Sequence, residues 1–278
     1  MAELICSRWH LGLLGDDRVL RSPSPLMHLA ALKQARLSGH YLPLTLKAEN
    51  VPPAIKGLAA LGFKGLNVTA PHKEVVIPHL TRLSPEAQAI GAVNTLVPDQ
   101  GGFSGHNTDA PGFAAAYLKE RAAQQALIYG AGGAARAVIQ ALRTQGFSVS
   151  VTARNLLAAQ KLAQEFGQKA LALADLPNAG TYSFVINATS ASYAADLNPV
   201  PPLTLANNAI VIDLNYGRPD NHWQKLAANS GGLFYDGLPM LAWQACLSFN
   251  LWTGANLGIT PFSGALAIYL RDGLTLWP

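Results

Sequence analysis

Apolar positions along this chain fall into short runs, separated by stretches in which they recur at helical spacing. Residues 11–15 (Leu-Gly-Leu-Leu-Gly) read as a short buried strand. Ser24-Pro25 then supplies an N-cap and a first-turn proline for a helix through about residue 35. The alternation continues with a strand near 40–44, a helix near 53–61, a strand at 65–69 and a helix after Pro71. Strands near 93–97 and 103–106 and a helix from Asp109 toward 120 complete a first α/β region. The polar stretch 119–125 separates that helix from a second alternation: strand 126–129, a glycine-rich turn, a helix to 143, strand 148–152, a helix to 166, and strands 184–188 and 210–214. Strands joined by helices in this way predict a parallel, doubly wound sheet. Helical stretches around 240–252 and 263–271 follow, and they are expected to pack back on the first region.

Composition bounds the answer. A chain of 278 residues exceeds the usual single core, so two domains are expected. Half the residues are hydrophobic and 13% are charged, which excludes a disordered chain. Cys6 and Cys246 match no metal-ligand spacing and read as plain thiols, so no metal site is expected. The first residues lack a basic segment followed by a long apolar one, and no run of 18 apolar residues occurs, so the protein reads as cytoplasmic with no membrane partner. Its 20 Lys and Arg outnumber 16 Asp and Glu, giving a net charge of +4. They are scattered rather than striped, which points to small anions and not to nucleic acid.

The loop Gly130-Ala131-Gly132-Gly133-Ala134-Ala135 fits G-x-G-x-x-A. The first glycine allows the tight turn, the second lets backbone amides approach a pyrophosphate, and Ala135 permits close helix–strand contact. Because the loop follows an apolar strand and opens an Ala-rich helix, a dinucleotide site is expected. The second strand ends Val151-Thr152-Ala153-Arg154-Asn155, with no carboxylate for ribose hydroxyls. Arg154 can offer its planar fork to a 2′-phosphate, which favours NADP; the alternative is a solvated arginine at a strand end.

Lys73 and Asp109 precede this loop. An ammonium and a carboxylate beside a nicotinamide could move one proton while the cofactor moves one hydride. The plainer alternatives are a surface lysine at a helix start and an Asp109 that caps the helix before Ala110-Pro111. His28, His72 and His106 adjoin no Ser or Cys nucleophile motif and read as structural.

Ser22-Pro23-Ser24-Pro25 with His28, Asn67-Val68-Thr69-Ala70-Pro71-His72-Lys73, Gly91-Ala92-Val93-Asn94-Thr95, Asn107-Thr108-Asp109 with Gly112-Phe113, the glycine loop, Asn187-Ala188-Thr189-Ser190, and Met240-Leu241 with Gln244 occur in that order. In this the chain resembles the shikimate dehydrogenase family across almost its whole length. The resemblance implies an α/β substrate domain over 1–108, completed by 240–278, and a Rossmann-type doubly wound NADP-binding domain over 109–239. It implies reversible reduction of 3-dehydroshikimate to shikimate, with Lys73 and Asp109 catalytic and the choice of acid/base between them open. Ser22 and Ser24 would take the substrate carboxylate. Thr69, Asn94, Tyr216 and Gln244 would meet the rest of the substrate. Gly130, Ala131, Gly132, Gly133, Ala134, Arg154, Thr189 and Gly237 would bind the cofactor, in a monomer or homodimer.

Two departures stand out. The family's usual Asn-Arg-Thr, with a second basic residue three positions on, is here Ala153-Arg154-Asn155 with Ala158, so one of two phosphate-binding cations remains. Ala191-Ser192-Tyr193 stands where the family usually has a glycine. A quinate/shikimate dehydrogenase paralogue using NAD or NADP, and a non-catalytic sensor of shikimate-pathway metabolites, are the alternatives. A folate-linked dehydrogenase would leave the serine pair unexplained.

Overall fold

The computed structural model describes residues 8–119, 121–178, 181–190, 203–217 and 221–272; Cys6 and Ala191-Ser192-Tyr193 lie outside the described residues. The chain divides into two compact units, Met1–Gly112 with Leu241–Pro278, and Phe113–Met240.

In the first unit β1 (Trp9–Gly15), β2 (Gly39–Thr45), β3 (Gly65–Val68), β4 (Arg82–Leu83), β5 (Thr95–Asp99) and β6 (Gly102–His106) form a mixed sheet in the order β2-β1-β3-β5-β6-β4. β1 is parallel to β2 and β3, whereas β3–β5 and β5–β6 are antiparallel. β5 runs opposite to β1 and β3 and enters where β3 leaves, so the segments before β5 and after β6 meet the C-terminal end of β3. Leu14, Val51, Ile55, Leu66, Val68, Val93, Leu96 and Phe103 close the core over one face, each full burial contributing about 1.5–3 kcal/mol. The helices are α1 (Ser24–Gln34), α2 (Val51–Ala60), α3 (Pro85–Ile90) and α4 (Asp109–Phe113).

The helix expected after Pro71 is a run of turns that ends in one 3₁₀ turn, Ile77–His79. Pro78, within the segment, lacks an N–H, so no continuous i→i−4 ladder can run through it. The α-helix comes later as α3, where Ser84 Oγ accepts from Ala87 N (3.1 Å). The helix expected from 109 toward 120 is α4 passing into a π-helical turn, Ala114–Leu118.

The second unit carries β7 (Gln125–Tyr129), β8 (Ser148–Thr152), β9 (Lys169–Ala170), β10 (Thr181–Asn187), β11 (Thr204–Asp213) and β12 (Leu233–Tyr235), in the order β12-β11-β10-β7-β8-β9. Every pair is parallel. Counted from β7 this is the doubly wound order with its crossover between β7 and β10, the topological switch point at which such sheets receive ligands. α5 (Gly133–Thr144), α6 (Leu156–Glu165) and α7 (His222–Asn229) connect the strands. Leu127, Tyr129, Val185, Val211 and Trp223 share one core cluster. α8 (Leu238–Thr253) and α9 (Thr260–Asp272) close the chain. Among the described residues no helix is long and apolar enough to cross a membrane, and no group of three or more His, Cys, Asp and Glu could hold a metal ion.

Candidate active site

Lys73 and Asp109 meet in the first unit. Lys73 Nζ donates to Asp109 Oδ2 at 2.6 Å, with the two side chains 15% and 6% exposed. A pair so shielded feels a strong Coulomb attraction, but each charge has lost hydration, so the remaining polar atoms need partners. Asn94 Nδ2 supplies one by donating to Asp109 Oδ1 at 2.9 Å. The lysine is fixed from behind, since Val93 N donates to Lys73 O at 2.8 Å. Capping of α4 falls to Asn107, whose Oδ1 accepts from Asp109 N (3.0 Å) and Ala110 N (3.2 Å). The Asp109 carboxylate is thus left to face Lys73 and Asn94.

Asn94, Gln244 and Thr69, also singled out by sequence, lie near the same strand ends, whereas Ser22 and Ser24 bond to each other at the start of α1. Asn94 precedes β5 and its backbone O accepts from Val68 N at 2.9 Å. Gln244, on α8, lies 3.4 Å from Asn94 Nδ2 through its Oε1. Thr69 follows β3 and donates from its backbone N to Leu14 O at 2.8 Å. Ser22 Oγ donates to Ser24 Oγ at 2.9 Å and accepts from Ser24 N at 3.2 Å. The expected Ser24 cap is corrected here: Ser24 is already helical, Pro23 holds the N-cap position, and no side chain caps α1. With Ser24 inside the first turn, its hydroxyl accepts from Ser22 Oγ, and Ser22 Oγ takes the first amide of α1, Ser24 N.

Of the histidines, His28 is fully buried among aromatic rings, His72 Nε2 lies 2.9 Å from Leu46 O, and His106 lies 3.2 Å from Ser104 Oγ.

The remaining candidates belong to the second unit. Gly130 has φ +132°, which favours glycine, and a Cβ there would come 3.0 Å from the Ala188 carbonyl. Gly132 is the N-cap of α5 with no side-chain cap, and nothing lies within 4 Å of where its Cβ would be. Ala131, Gly133 and Ala134 complete this turn into the helix. Uncapped amides at a helix start, with open space above a glycine, suit a diphosphate. Arg154 is exposed beyond β8, and Asn155 caps α6 by accepting from Ala158 N at 3.2 Å. Thr189 donates through N (3.1 Å) and Oγ1 (2.8 Å) to Asn187 Oδ1. Tyr216 follows β11 and is half-buried. Gly237 N donates to Asn215 O at 3.1 Å.

Sequence reasoning missed the group that braces this loop. Asp213 is fully buried at the end of β11, where Oδ1 accepts from Asn187 Nδ2 (2.8 Å) and Asn215 Nδ2 (2.8 Å), and Oδ2 from Asn221 Nδ2 (2.8 Å). Asn215 Nδ2 also donates to Thr189 O at 2.8 Å. The available signal was a lone Asp closing an apolar strand, with asparagines two and eight positions on.

Comparison with known proteins assigns the chain to a family. Residues 14–96 match the shikimate dehydrogenase substrate binding domain, 113–214 the shikimate/quinate 5-dehydrogenase domain, and 237–256 the shikimate 5′-dehydrogenase C-terminal domain. The chain belongs to the shikimate dehydrogenase family. The shikimate dehydrogenase (NADP(+)) of Carboxydothermus hydrogenoformans is 37% identical over 258 residues, covering 88% of this chain and 92% of the relative. That of a Thermus thermophilus strain is 41% identical over 240 residues, covering 85% and 89%. Among solved structures, the shikimate 5-dehydrogenase of Thermus thermophilus in complex with NADP(H) and shikimate aligns with TM-score 0.81 and 37% identity, over 96% of this chain and 100% of that one. Lys73, Asn94 and Gln244 lie within the family's substrate-binding and C-terminal matches, and the glycine loop lies within the central one.

Proposed function

We propose that this protein is an NADP-dependent shikimate dehydrogenase, interconverting 3-dehydroshikimate and shikimate. The observation that carries the reading is the Lys73–Asp109 pair, held at 2.6 Å with Asn94 on the second carboxylate oxygen. An ammonium so placed can give a proton to the carbonyl oxygen as it becomes a hydroxyl, or take it back in the oxidation. Asp109 keeps Lys73 in place and stabilises its charge. Ser22 and Ser24, at the head of α1, can donate hydroxyl hydrogens to the substrate carboxylate. Thr69, Asn94 and Gln244 offer donors and acceptors to the substrate's hydroxyls. When bound, the nicotinamide nucleotide supplies or accepts the hydride. Gly130, Gly132 and the first amides of α5 would hold its diphosphate, and Arg154 its 2′-phosphate.

The test is NADPH formation from purified protein, shikimate and NADP, run beside quinate, beside NAD and beside Lys73→Ala. Turnover with shikimate that collapses in the variant is expected. Measurable shikimate binding without turnover on any substrate and cofactor pair would instead favour a metabolite sensor.

A further inference from the structure

We propose that Ser248 is a positioning residue for the Lys73–Asp109 pair, acting through Thr95, Thr108 and Asn94; the inference rests on the dehydrogenase reading above. Ser248 lies on α8, one helical turn beyond Gln244, and is fully buried. Its hydroxyl stands at the centre of a buried polar cluster. Asn67 Nδ2 donates to it at 3.0 Å, Thr95 Oγ1 lies at 2.8 Å and Thr108 Oγ1 at 2.9 Å, and it donates to Gln244 O at 2.9 Å.

Hydrogen counting gives the cluster a direction. A serine hydroxyl has one hydrogen and two lone pairs. The hydrogen goes to the Gln244 carbonyl, so toward Asn67 and the threonines Ser248 is an acceptor. With Asn67 on one lone pair, the other takes the hydrogen of Thr108, whose oxygen in turn accepts from Asn94 Nδ2 at 2.9 Å, while Thr95 turns its hydrogen to Asn94 Oδ1 at 3.0 Å. Thr108 N also donates to Asn94 Oδ1, at 2.7 Å. The carbonyl end of the Asn94 amide is thereby held by Thr95 and the Thr108 backbone amide, and its amino group gives one hydrogen to Thr108 Oγ1 and the other to Asp109 Oδ1, each at 2.9 Å. A flipped amide would set two acceptors against each other beside a carboxylate. Ser248 thus acts as the sink that keeps the threonine hydrogens, and through them the Asn94 amide, in one arrangement. With Asn94 on Oδ1, Asp109 presents Oδ2 to Lys73.

Ser248→Ala removes the sink without adding volume. We expect kcat for shikimate oxidation, per molecule competent to bind NADP, to fall about tenfold, with the KM for NADP changed less than twofold. Thr108→Val, which removes the hydroxyl link to Asn94 and keeps the Thr108 N bond, should cause a similar fall, and the double variant should be no slower than the worse single one. Three results would overturn the inference: an unchanged kcat in Ser248→Ala, a lowered melting temperature as its only effect, or losses that multiply in the double variant. Should Ser248→Ala not fold, Thr108→Val decides alone, and an unchanged kcat there overturns the inference. Wild-type protein inactive toward shikimate would defeat the dehydrogenase reading and this inference with it, whereas active wild type with unaffected variants would defeat the inference alone.

Discussion

His28 lies flat against Tyr41, with ring centroids 4.2 Å apart and planes inclined by 5°. Trp252 and Phe262 enclose the same imidazole at 5.3 and 5.9 Å. Burial pulls the His28 pKa down to about 3, opposed in part by the Asn67 side chain. The folded protein therefore keeps this ring neutral where the unfolded chain takes up a proton, below the ordinary value of 6.5. Stability contributed by the neutral ring is complete above 6.5 and is lost progressively as pH falls toward 3, at about 1.4 kcal/mol per pH unit. Denaturant unfolding of wild type and His28→Phe at about pH 7.5 and about pH 5 should show wild type losing roughly 2 kcal/mol more than the variant. Equal losses would assign the acid sensitivity to other groups.

Gly112 lies against α8, where a Cβ would come within 2.9 Å of Gln244 N and 3.1 Å of Gln244 Cα. Those are backbone atoms of a helix and cannot swing aside. Gly112→Ala should destabilise the protein by about 1–3 kcal/mol through overpacking, and it should raise the KM for shikimate by moving Gln244. Thermal melting and steady-state kinetics on one preparation would check both. An unchanged melting temperature would mean that α8 shifts without cost.

Arg154 is exposed at the end of β8, and its neighbour Asn155 is committed to capping α6. If Arg154 holds the 2′-phosphate, Arg154→Gln should remove a charge-assisted contact of about 1.5–3 kcal/mol. That raises the KM for NADP by roughly tenfold to a hundredfold and leaves the KM for NAD unchanged. With Ala158 in place of a second cation, wild type should also discriminate weakly between the two cofactors. A strong wild-type preference for NAD would defeat the NADP assignment.

The central strands of the second unit were legible, whereas its α7 and β12 were not anticipated. Those central strands are buried on both faces, so residues such as Leu127, Ile128, Val185 and Ile186 stand out as apolar runs between turn signals. The two-residue strands β4 and β9 are too short to carry any period. The turns after Pro71 imitated a helix start because Pro71 suits a first helical position, and only Pro78 betrays that no ladder follows. Lys73 and Asp109 are 36 residues apart, and nothing in that spacing brings them together; the motifs around them did. Ser248 and Asp213 were invisible for a different reason. Their partners come from several separate segments, and a one-dimensional pattern records a buried polar residue only as an interruption in an apolar stretch.

The carboxylate of Asp213 is held by amides of Asn187, Asn215 and Asn221. Burying a carboxylate is tolerable only when each oxygen is hydrogen-bonded, and here both are. The arrangement ties the end of β10, the turn after β11 and the start of α7 into one block, with Thr189 fixed through Asn187 and Asn215. Asp213→Ala would take the shared acceptor from three side-chain amides at once. At about 1–3 kcal/mol for each buried donor that loses its acceptor, offset by relaxation and by water entering, a net loss near about 3–5 kcal/mol is expected. Asp213→Asn should be milder in packing but still harmful, because an amide offers one acceptor oxygen and turns two hydrogens toward existing donors. Urea unfolding should rank wild type above Asp213→Asn and that variant above or level with Asp213→Ala. At a temperature where Asp213→Asn is fully folded, its KM for NADP should rise while shikimate binding alone, read by calorimetry, stays as in wild type. A variant whose two ligands weaken together would show instead that the lesion spreads beyond the unit that holds Asp213.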